Sequence, residues 1–259
     1  MGEGRNAVTL KQFFQANPEA AVAFSGGADS AYLLYAAARY ARRVRAYCAR
    51  SPFQPAFEWE DARRLAGELG VGLRAVELDV LALPEVAANP PERCYHCKRA
   101  VFSAISQAAR EDGFPLLIDG TNASDDAADR PGMRALEELS VRSPLRECGL
   151  TKGEVRRLSK EAGLFTWDKP AYACLATRIP AGEEITREKL QKTEEAEGLL
   201  FSLGFSGFRV RLLGGRALVQ LPEGQLPLLL EKRGQVLEGL KGRYSGVLLD
   251  LEPRAGEQL

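Results

Sequence analysis

Short apolar runs alternate with longer amphipathic segments through the first half of the chain. Each apolar run has the length of a buried strand, and the segments between them have apolar residues at helical spacing. Strands that alternate with helices of about 10–15 residues indicate a parallel sheet covered on both faces, so an α/β fold is predicted. The predicted strands are 20–24, 44–48, 73–78 and 116–119, and the predicted helices are 31–42, 57–69 and 97–110, after an amphipathic opening at 8–15.

From about Ile179 onward the pattern changes to an α-β-β-α-β order. Two strands flank Gly214 and Gly215, which suit a hairpin turn. We interpret this part as a second, smaller α/β domain and place the domain boundary after residue 178. The predicted elements are helices at 186–203 and 226–240 and strands at 208–213, 217–221 and 247–251, and the two predicted domains are 1–178 and 179–259.

The first predicted strand runs directly into Ser25-Gly-Gly-Ala-Asp-Ser30, which a helix follows. Two glycines allow the backbone to curl so that successive N–H groups point into one concavity, and the helix N-terminus adds its positive dipole. The two serines supply donors for phosphate oxygens, whereas Asp29 suits either a helix cap or a ligand for nucleotide-bound Mg²⁺. Because the Walker lysine is missing, the segment resembles instead the PP-loop, which grips the pyrophosphate of ATP. The residues predicted to bind nucleotide here are Phe24, Ser25, Gly26, Gly27, Asp29 and Ser30.

A second polar segment, Asp119-Gly-Thr-Asn122, follows the last predicted strand of the first domain. Open α/β sheets bind ligands at the carboxyl ends of their strands. We therefore expect Gly120, Thr121 and Asn122 to line the same nucleotide site. The plainer alternative for both segments is a turn without a ligand, with a serine capping the helix in the first case.

Composition restricts the classes of function. Thirty-five basic residues balance thirty-five acidic ones, which argues against a mainly electrostatic nucleic-acid binder. No apolar stretch reaches membrane-spanning length, and the N-terminus lacks the apolar core of a signal peptide, so we expect a cytoplasmic protein without membrane partners. The single histidine, His96, argues against a His-rich zinc site, and five cysteines are too few for a disulfide scaffold.

Three of the five cysteines stand in polar surroundings. Cys94 and Cys97 form a C-x-x-C motif at the start of a helix, which suits zinc, an iron–sulfur cluster or a redox dithiol. Cys174 lies in a polar, proline-bounded loop, where the charges of Lys169 and Arg178 favour a thiolate. Two interpretations stay open: the three thiolates bind three irons of a 4Fe–4S cluster, or Cys174 is a lone nucleophile and the pair is structural. The remaining cysteines, Cys48 and Cys148, are predicted to be packing residues, and His96 a surface or supporting residue.

Taken together, these segments resemble the LarE-type ATP-dependent sacrificial sulfur transferases, a branch of the PP-loop ATP pyrophosphatase superfamily. The resemblance covers nearly the whole chain, and the combination of the PP-loop with C-L-A-T-R-I-P and the R-V-R pair makes it specific. It implies a Rossmann-like parallel-sheet PP-loop domain with a smaller C-terminal α/β domain for substrate binding or oligomerisation. The segments that carry it are 25–30, 93–98, 119–126, 130–133, 142–145, 167–170, 174–180 and 208–211.

The resemblance implies a role in making the nickel-pincer nucleotide, the cofactor of lactate racemase. Family members use ATP and Mg²⁺ to adenylate a carboxylate of pyridinium-3,5-biscarboxylate mononucleotide, and then exchange oxygen for sulfur. In members with one cysteine, that cysteine gives up its own sulfur and becomes dehydroalanine, and Cys174 matches its position. Because Cys94 and Cys97 are also present, the chain is more similar to the branch whose cysteines bind a 4Fe–4S cluster that carries the transferred sulfide.

The resemblance also implies roles for residues of the second domain. Arg209 and Arg211 alternate along a predicted strand, so they share a face that can bind the substrate's phosphate. In the family an acidic residue of the preceding helix lines this site; Glu197 is the better match and Glu194 the second. Gln220 departs from the pattern, because an acidic residue is expected there as a second metal ligand. Further implications are that Asp125 and Arg178 bind nucleotide, that the substrate is a small-molecule nucleotide, and that the protein is a homo-oligomer, with a hexamer as the expected size.

Three other functions fit parts of the sequence. A tRNA thiolase shares the PP-loop and often a three-cysteine cluster, but neutral charge and the absence of an RNA-binding accessory domain disfavour it. An ammonia-using PP-loop ligase of the NAD synthetase type would not need Cys174. The third is a non-enzymatic zinc- or adenylate-binding protein, which would not release pyrophosphate with any acceptor.

Overall fold

The computed structural model describes residues 8–125, 131–170 and 172–254, which divide into two compact units. The first unit contains residues 8–80, 92–125 and 131–170, and the second contains 81–91 and 172–254. The boundary between the two units therefore lies near residue 171, and Leu81–Pro91 also belongs to the second unit. The sequence-based prediction placed the domain boundary after residue 178.

The regular elements are named in chain order. The strands are β1 (Glu19–Ala23), β2 (Arg43–Arg50), β3 (Leu73–Glu77), β4 (Leu117–Ile118), β5 (Arg209–Leu213), β6 (Arg216–Gln220) and β7 (Val247–Leu249). The helices are α1 (Leu10–Ala16), α2 (Ala28–Tyr40), α3 (Ala56–Glu68), α4 (Pro84–Ala87), α5 (Arg93–Glu111), α6 (Pro131–Glu138), α7 (Pro144–Glu147), α8 (Lys152–Glu161), α9 (Arg187–Ser202) and α10 (Leu226–Leu240). Short 3₁₀ turns cover Val80–Ala82, Leu175–Arg178 and Glu223–Gln225.

The first unit is built on a parallel sheet with the strand order β3-β2-β1-β4. Alternate residues of β1 face two different hydrophobic cores: Ala20 and Val22 belong to one, and Ala21 and Ala23 to the other. Helices cover both faces, which confirms the predicted α/β fold. Because β1 and β4 are neighbours and parallel, the loops that follow them leave the same edge of the sheet side by side.

The second unit contains a three-stranded sheet with the order β5-β6-β7. Strands β5 and β6 are antiparallel, and Gly214 and Gly215 connect them with positive φ angles of 54° and 79°, which confirms the predicted hairpin. Strand β7 pairs parallel to β6 after the crossover through α10. Leu200 of α9 and Val210 of β5 are fully buried in the core of this unit.

The main differences from the predicted elements are at helix starts and in short helices. Helix α5 begins at Arg93, so both cysteines of the C-x-x-C motif lie within it, and α2 begins at Ala28. Helices α4, α6, α7 and α8 were not predicted. Their sequences are short or, as in α8, carry few apolar residues, so the helical period is hard to see. In the part of the chain that the structure describes, no helix has both the length and the apolar character needed to cross a membrane.

Candidate functional site

The loop after β1 makes a glycine turn directly before helix α2. Gly26 has a φ of +78°, a conformation that side chains disfavour, and a Cβ atom there would lie 2.8 Å from the Glu58 carbonyl oxygen. The Ser25 and Ser30 Oγ atoms lie 3.1 Å apart, and Ser30 Oγ donates to the Gly27 carbonyl at 3.1 Å. The loop is therefore held by its own hydroxyls directly before the N-terminus of α2, where anions bind favourably. Phe24, by contrast, places its side chain in the core.

Asp29 lies in the first turn of α2, and the N-cap of that helix is Gly27, so Asp29 does not act as the cap. Its Oδ1 atom is buried and has no hydrogen-bond partner among the described residues. Burial, and then the charge of Asp125, raise the pKa of Asp29 to about 6, against the lowering effect of Lys152 and Arg156. A carboxylate oxygen that no protein donor satisfies suits a cation, so the metal-ligand interpretation of Asp29 fits better than the cap.

The loop after β4 packs directly against the first turn of α2, which follows the loop after β1. A Cβ atom on Gly120 would lie 2.7 Å from the Ser30 backbone nitrogen, so only glycine allows this approach. Asn122 brings Asp125 close, because the Asn122 N–H donates to Asp125 Oδ2 at 3.1 Å, and the interaction of Asn122 with Asp29 partly offsets the raised pKa of Asp29. These predicted residues of the two loops therefore lie together at the carboxyl edge of the sheet.

Thr121 faces inward and helps to fix the loop after β4. Its Oγ1 atom donates to Asp119 Oδ2 at 2.5 Å, and Ser143 Oγ donates to Asp119 Oδ1 at 2.6 Å. Burial raises the pKa of Asp119, which these hydrogen bonds partly offset. Thr121 and Asp119 thus stabilise the loop conformation.

Sequence reasoning missed several charged residues of this region. Lys169 Nζ donates to the Gly26 carbonyl oxygen at 3.1 Å and to Asp61 Oδ2 at 2.7 Å. Lys152 and Arg156 of α8 act electrostatically on Asp29. The sequence marked the Trp167–Pro170 segment, but it gave no sign that Lys169 meets a residue 108 positions away.

The C-x-x-C pair lies on the first turn of α5. Cys94 and Cys97 are three residues apart on this helix, so their side chains share a face; Cys94 is exposed and Cys97 half-buried. All five cysteines are free thiols. Cys48 is buried in the first core and Cys148 packs against it, which confirms their prediction as packing residues. His96 is half-buried, and its Nδ1 atom has no partner among the described residues.

Cys174 belongs to the second unit, whereas Cys94 and Cys97 belong to the first. Among the residues that the structure describes, no group of three or more His, Cys, Asp or Glu side chains is positioned to hold a metal ion. The three-cysteine cluster therefore stays a prediction. Cys174 is half-buried at the start of the 3₁₀ turn, where Thr177 Oγ1 donates to its carbonyl oxygen at 2.8 Å.

Glu197 is the centre of a buried charged cluster in the second unit. It is 1% exposed and forms a bidentate pair with Arg178, also 1% exposed, at 2.8 and 3.1 Å. The Val210 N–H donates to it at 2.9 Å, and the Tyr172 hydroxyl donates to its second oxygen. The Glu197 carboxylate is thus fully satisfied by protein donors.

Arg209 adds a second cation to this cluster. The centre of the Tyr172 ring lies 4.6 Å from the guanidinium carbon of Arg178 and 4.9 Å from that of Arg209. Burial, and then the charges of Arg178 and Arg254, lower the pKa of Arg209 to about 10. Arg178 and Arg209 therefore lie close together beside Tyr172, and guanidinium groups are the side chains best suited to phosphate oxygens.

Arg211 is held by a chain of hydrogen bonds. Its Nε donates to Gln220 Oε1 at 2.7 Å, and Gln220 Nε2 donates to Asp250 Oδ2 at 2.7 Å. Its NH1 group donates to the Thr177 carbonyl oxygen at 2.7 Å, in the turn that Cys174 begins. Arg209 and Arg211 are two apart on β5 and so lie on one face.

Comparisons with known proteins give three relatives. The chain is 34% identical over 235 residues, 89% of this chain and 84% of the relative, to the pyridinium-3,5-bisthiocarboxylic acid mononucleotide synthase of Lactiplantibacillus plantarum. It is 38% identical over 249 residues, 94% of this chain and 92% of the relative, to an uncharacterized protein of Synechocystis sp.. An uncharacterized protein of Methanocaldococcus jannaschii is 28% identical over 244 residues, 94% of this chain and 93% of the relative. No protein-family model matches the chain.

Proposed function

Because the chain belongs to the family of the pyridinium-3,5-bisthiocarboxylic acid mononucleotide synthase, the LarE-type family, we propose that it is an ATP-dependent sulfur transferase. It adenylates a carboxylate of pyridinium-3,5-biscarboxylate mononucleotide and converts it to a thiocarboxylate, on the route to the nickel-pincer nucleotide. The observation that carries the proposal is the identity with that synthase, which extends over most of both chains.

The loop after β1 supports the first half of this reaction. A carboxylate of the substrate attacks the α-phosphorus of ATP, and pyrophosphate leaves. The Gly27 N–H, the N-terminus of α2 and the hydroxyls of Ser25 and Ser30 bind the pyrophosphate, which stabilises it as a leaving group. Asp29 and Asp125 would hold the Mg²⁺ that enters with ATP, because carboxylate oxygens are the hard donors that this ion prefers and the two residues are close enough to act on each other electrostatically.

The arginine cluster supports binding of the substrate's own phosphate. Arg209 and Arg211 present their guanidinium groups from one face of β5, and an arginine fork matches phosphate oxygens. Glu197 forms an ion pair with Arg178 and so holds that arginine in place. The binding group of the second unit is therefore a set of side chains that are already ordered before the substrate arrives.

Cys174 is the residue that we assign to the sulfur step. On the sacrificial route, the Cys174 thiolate adds to the acyl carbon of the adenylate and AMP leaves. Loss of the Cys174 Cα proton then breaks its Cβ–Sγ bond, which gives the thiocarboxylate and leaves dehydroalanine. The donor set of Cys94, Cys97 and Cys174 also suits a 4Fe–4S cluster, which would supply a sulfide for transfer when bound. We further propose that the protein works in the cytoplasm as a homo-oligomer of hexameric size and needs neither nucleic acid nor a membrane.

The test uses anaerobically purified protein with ATP, Mg²⁺ and pyridinium-3,5-biscarboxylate mononucleotide. We expect AMP, pyrophosphate and a product in which sulfur has replaced oxygen, detected by mass spectrometry. Cys174→Ser should abolish the thiocarboxylate, whereas Cys148→Ser, a matched change at a packing cysteine, should not. Iron and sulfide that are present in the wild type and lost in Cys94→Ala would favour the cluster route. Dehydroalanine at Cys174 after turnover would favour the sacrificial route.

Other outcomes would identify the alternatives. Full activity of Cys174→Ser with ammonia as the nucleophile that attacks the adenylate indicates an amide-forming ligase. Retention of tRNA on a filter together with sulfur transfer to it indicates a tRNA thiolase. Pyrophosphate that is absent with every acceptor contradicts the proposal as a whole.

A further inference from the structure

Lys169 joins the loop after β1 to helix α3. Its ammonium group donates to the Gly26 carbonyl oxygen at 3.1 Å and to Asp61 Oδ2 at 2.7 Å. The Lys169 side chain is only 15% exposed. Its backbone is fixed too, because Arg156 donates to the Lys169 carbonyl oxygen at 3.1 Å and the Lys169 N–H donates to Thr166 at 3.2 Å. The ammonium group therefore has a defined position.

The Gly26 carbonyl and the Gly27 N–H belong to the same peptide plane. In a planar trans peptide these two groups point in opposite directions, so fixing one fixes the other. The Gly27 N–H donates to Ser25 Oγ at 3.4 Å, within the same loop. Lys169 holds the carbonyl on the other side of the peptide, so it also fixes the direction of the Gly27 N–H.

Two adjacent glycines would otherwise allow this peptide to rotate. Gly26 already has a positive φ of 78°, and glycine crosses between positive and negative φ at low cost. After such a rotation the Gly26 carbonyl oxygen would face the anion, and its partial negative charge would repel phosphate. Asp61 pairs with the Lys169 ammonium group at 2.7 Å and balances its charge.

We propose that Lys169 is a positioning residue for nucleotide binding, which orients the Gly26–Gly27 peptide and is itself held by Asp61. The proposal rests on the proposed function, in which this loop binds the pyrophosphate of ATP. Lys169 acts through the peptide and does not contact phosphate. It follows that removal of Lys169 and removal of the Asp61 charge weaken phosphate binding in the same direction.

The test compares Lys169→Met, Lys169→Arg, Asp61→Asn and the control Lys160→Met, which removes an exposed lysine that lies over Trp167. Dissociation constants for MgATP, magnesium pyrophosphate and adenosine are measured by calorimetry on the full chain. Lys169→Met should weaken MgATP and pyrophosphate at least about tenfold and leave adenosine unchanged, because only the phosphates use the loop N–H groups. Lys169→Arg should recover part of the loss, Asp61→Asn should cause a smaller loss, and Lys160→Met should cause none.

Hydrogen exchange at residues 25–30, without any nucleotide, gives a second measurement. Lys169→Met should speed exchange of the Gly27 amide about tenfold or more, and Lys160→Met should not. Unchanged exchange in Lys169→Met overturns the proposal. Tighter MgATP binding by Asp61→Asn also overturns it, because that result means a direct contact between a released Lys169 and phosphate. Failure of the wild type to bind MgATP refutes the proposed function instead, and the exchange measurement then still decides the role of Lys169.

Discussion

In the first unit the candidate anion site is built from backbone N–H groups and two serine hydroxyls, whereas in the second unit it is built from arginine side chains. The two sites also treat their carboxylates differently. Asp29 has a buried oxygen without a partner among the described residues, but Glu197 accepts hydrogen bonds from Arg178, Tyr172 and Val210. The first site therefore leaves one carboxylate oxygen without a donor among the described residues, whereas the second uses its carboxylate to order the protein itself. Substitutions at the two sites should accordingly have different, and in one case opposite, effects on stability.

The largest effect should come from Arg178→Leu in the second unit. Loss of this arginine leaves Glu197 buried without its cation, which costs about 3–5 kcal/mol of unfolding free energy. Urea unfolding followed by circular dichroism measures this loss. The matched control is Arg243→Leu, because Arg243 pairs at 2.9 Å with Glu195, which lies on α9 like Glu197, but the Arg243 side chain is 49% exposed. Loss of this exposed pair should cost less than about 1 kcal/mol. Equal losses in the two variants would mean that burial of the pair is unimportant.

The next effect should come from Gly26→Ala in the first unit. Alanine at a φ of +78° costs about 1–2 kcal/mol, and its Cβ would also overlap the Glu58 carbonyl oxygen, which adds about 1–3 kcal/mol. Gly70→Ala separates the two causes, because Gly70 has a φ of +65° and no atom within 4 Å of the added Cβ. Urea unfolding of both variants should show the smaller loss for Gly70→Ala. Equal losses would show that α3 shifts away from the added methyl group, so that the overlap with the Glu58 carbonyl oxygen is relieved.

Asp29→Asn should change stability in the opposite direction. Because the folded-state pKa of Asp29 is raised to about 6, the ionised carboxyl disfavours folding, and this cost grows from about pH 4 and is complete above about pH 6. In the presence of EDTA, we expect the variant to be about 1–2 kcal/mol more stable than the wild type at about pH 8, with the difference shrinking by about pH 5.

Asp112→Asn is the control for this sign. The Tyr47 hydroxyl holds the pKa of Asp112 below its usual value, so its ionised form favours folding, and the variant should be less stable at neutral pH. Urea midpoints of both variants between about pH 5 and pH 8 show whether each substitution raises or lowers the stability. A neutral-pH loss of stability in Asp29→Asn would contradict the view that the Asp29 carboxylate is kept at a cost.

The smallest effect should come from Gln220. Its amide accepts from Arg211 and donates to Asp250, which a carboxylate cannot do at once. Gln220→Leu should therefore cost about 0.5–1 kcal/mol by thermal unfolding, since both partners reach water. Gln220→Glu keeps the acceptor for Arg211 but sets two carboxylates side by side, so its cost should be larger at neutral than at acidic pH. A cost of Gln220→Glu that is smaller at neutral than at acidic pH would show that a cation binds between the introduced carboxylate and Asp250 in this variant.

The local structure of the first site could be predicted from the sequence because its parts are neighbours in the chain. Strand, glycine turn and helix N-terminus follow one another between Glu19 and Tyr40, so their order alone determines the loop. The loop after β4 was predicted in the same way, from the short polar segment that follows that strand. The position of one loop against the other at Gly120 and Ser30 required the sheet order, which the sequence does not contain.

The second site depends on pairs that are far apart in the chain. Arg178 and Glu197 are 19 residues apart, and a polar helix such as α9 gives no sign of which of its glutamates is buried. The resemblance pointed to Glu197, whereas spacing alone would have left it equal to Glu194. Lys169 was assigned to the thiol of Cys174 because it is near in sequence, but its ammonium group contacts Asp61. Long charged side chains reach partners that periodicity cannot identify.

The contact between Gly120 and the backbone of Ser30 restricts how this protein can change during evolution. A methyl group at position 120 would meet main-chain atoms on α2, which cannot turn aside as a side chain can. Extra stability gained elsewhere would compensate a loss of folding energy, but it would not restore the spacing between the two loops. In a library with position 120 fully randomised, selected for activity in both a marginal and a strongly stabilised background, glycine should be recovered from each.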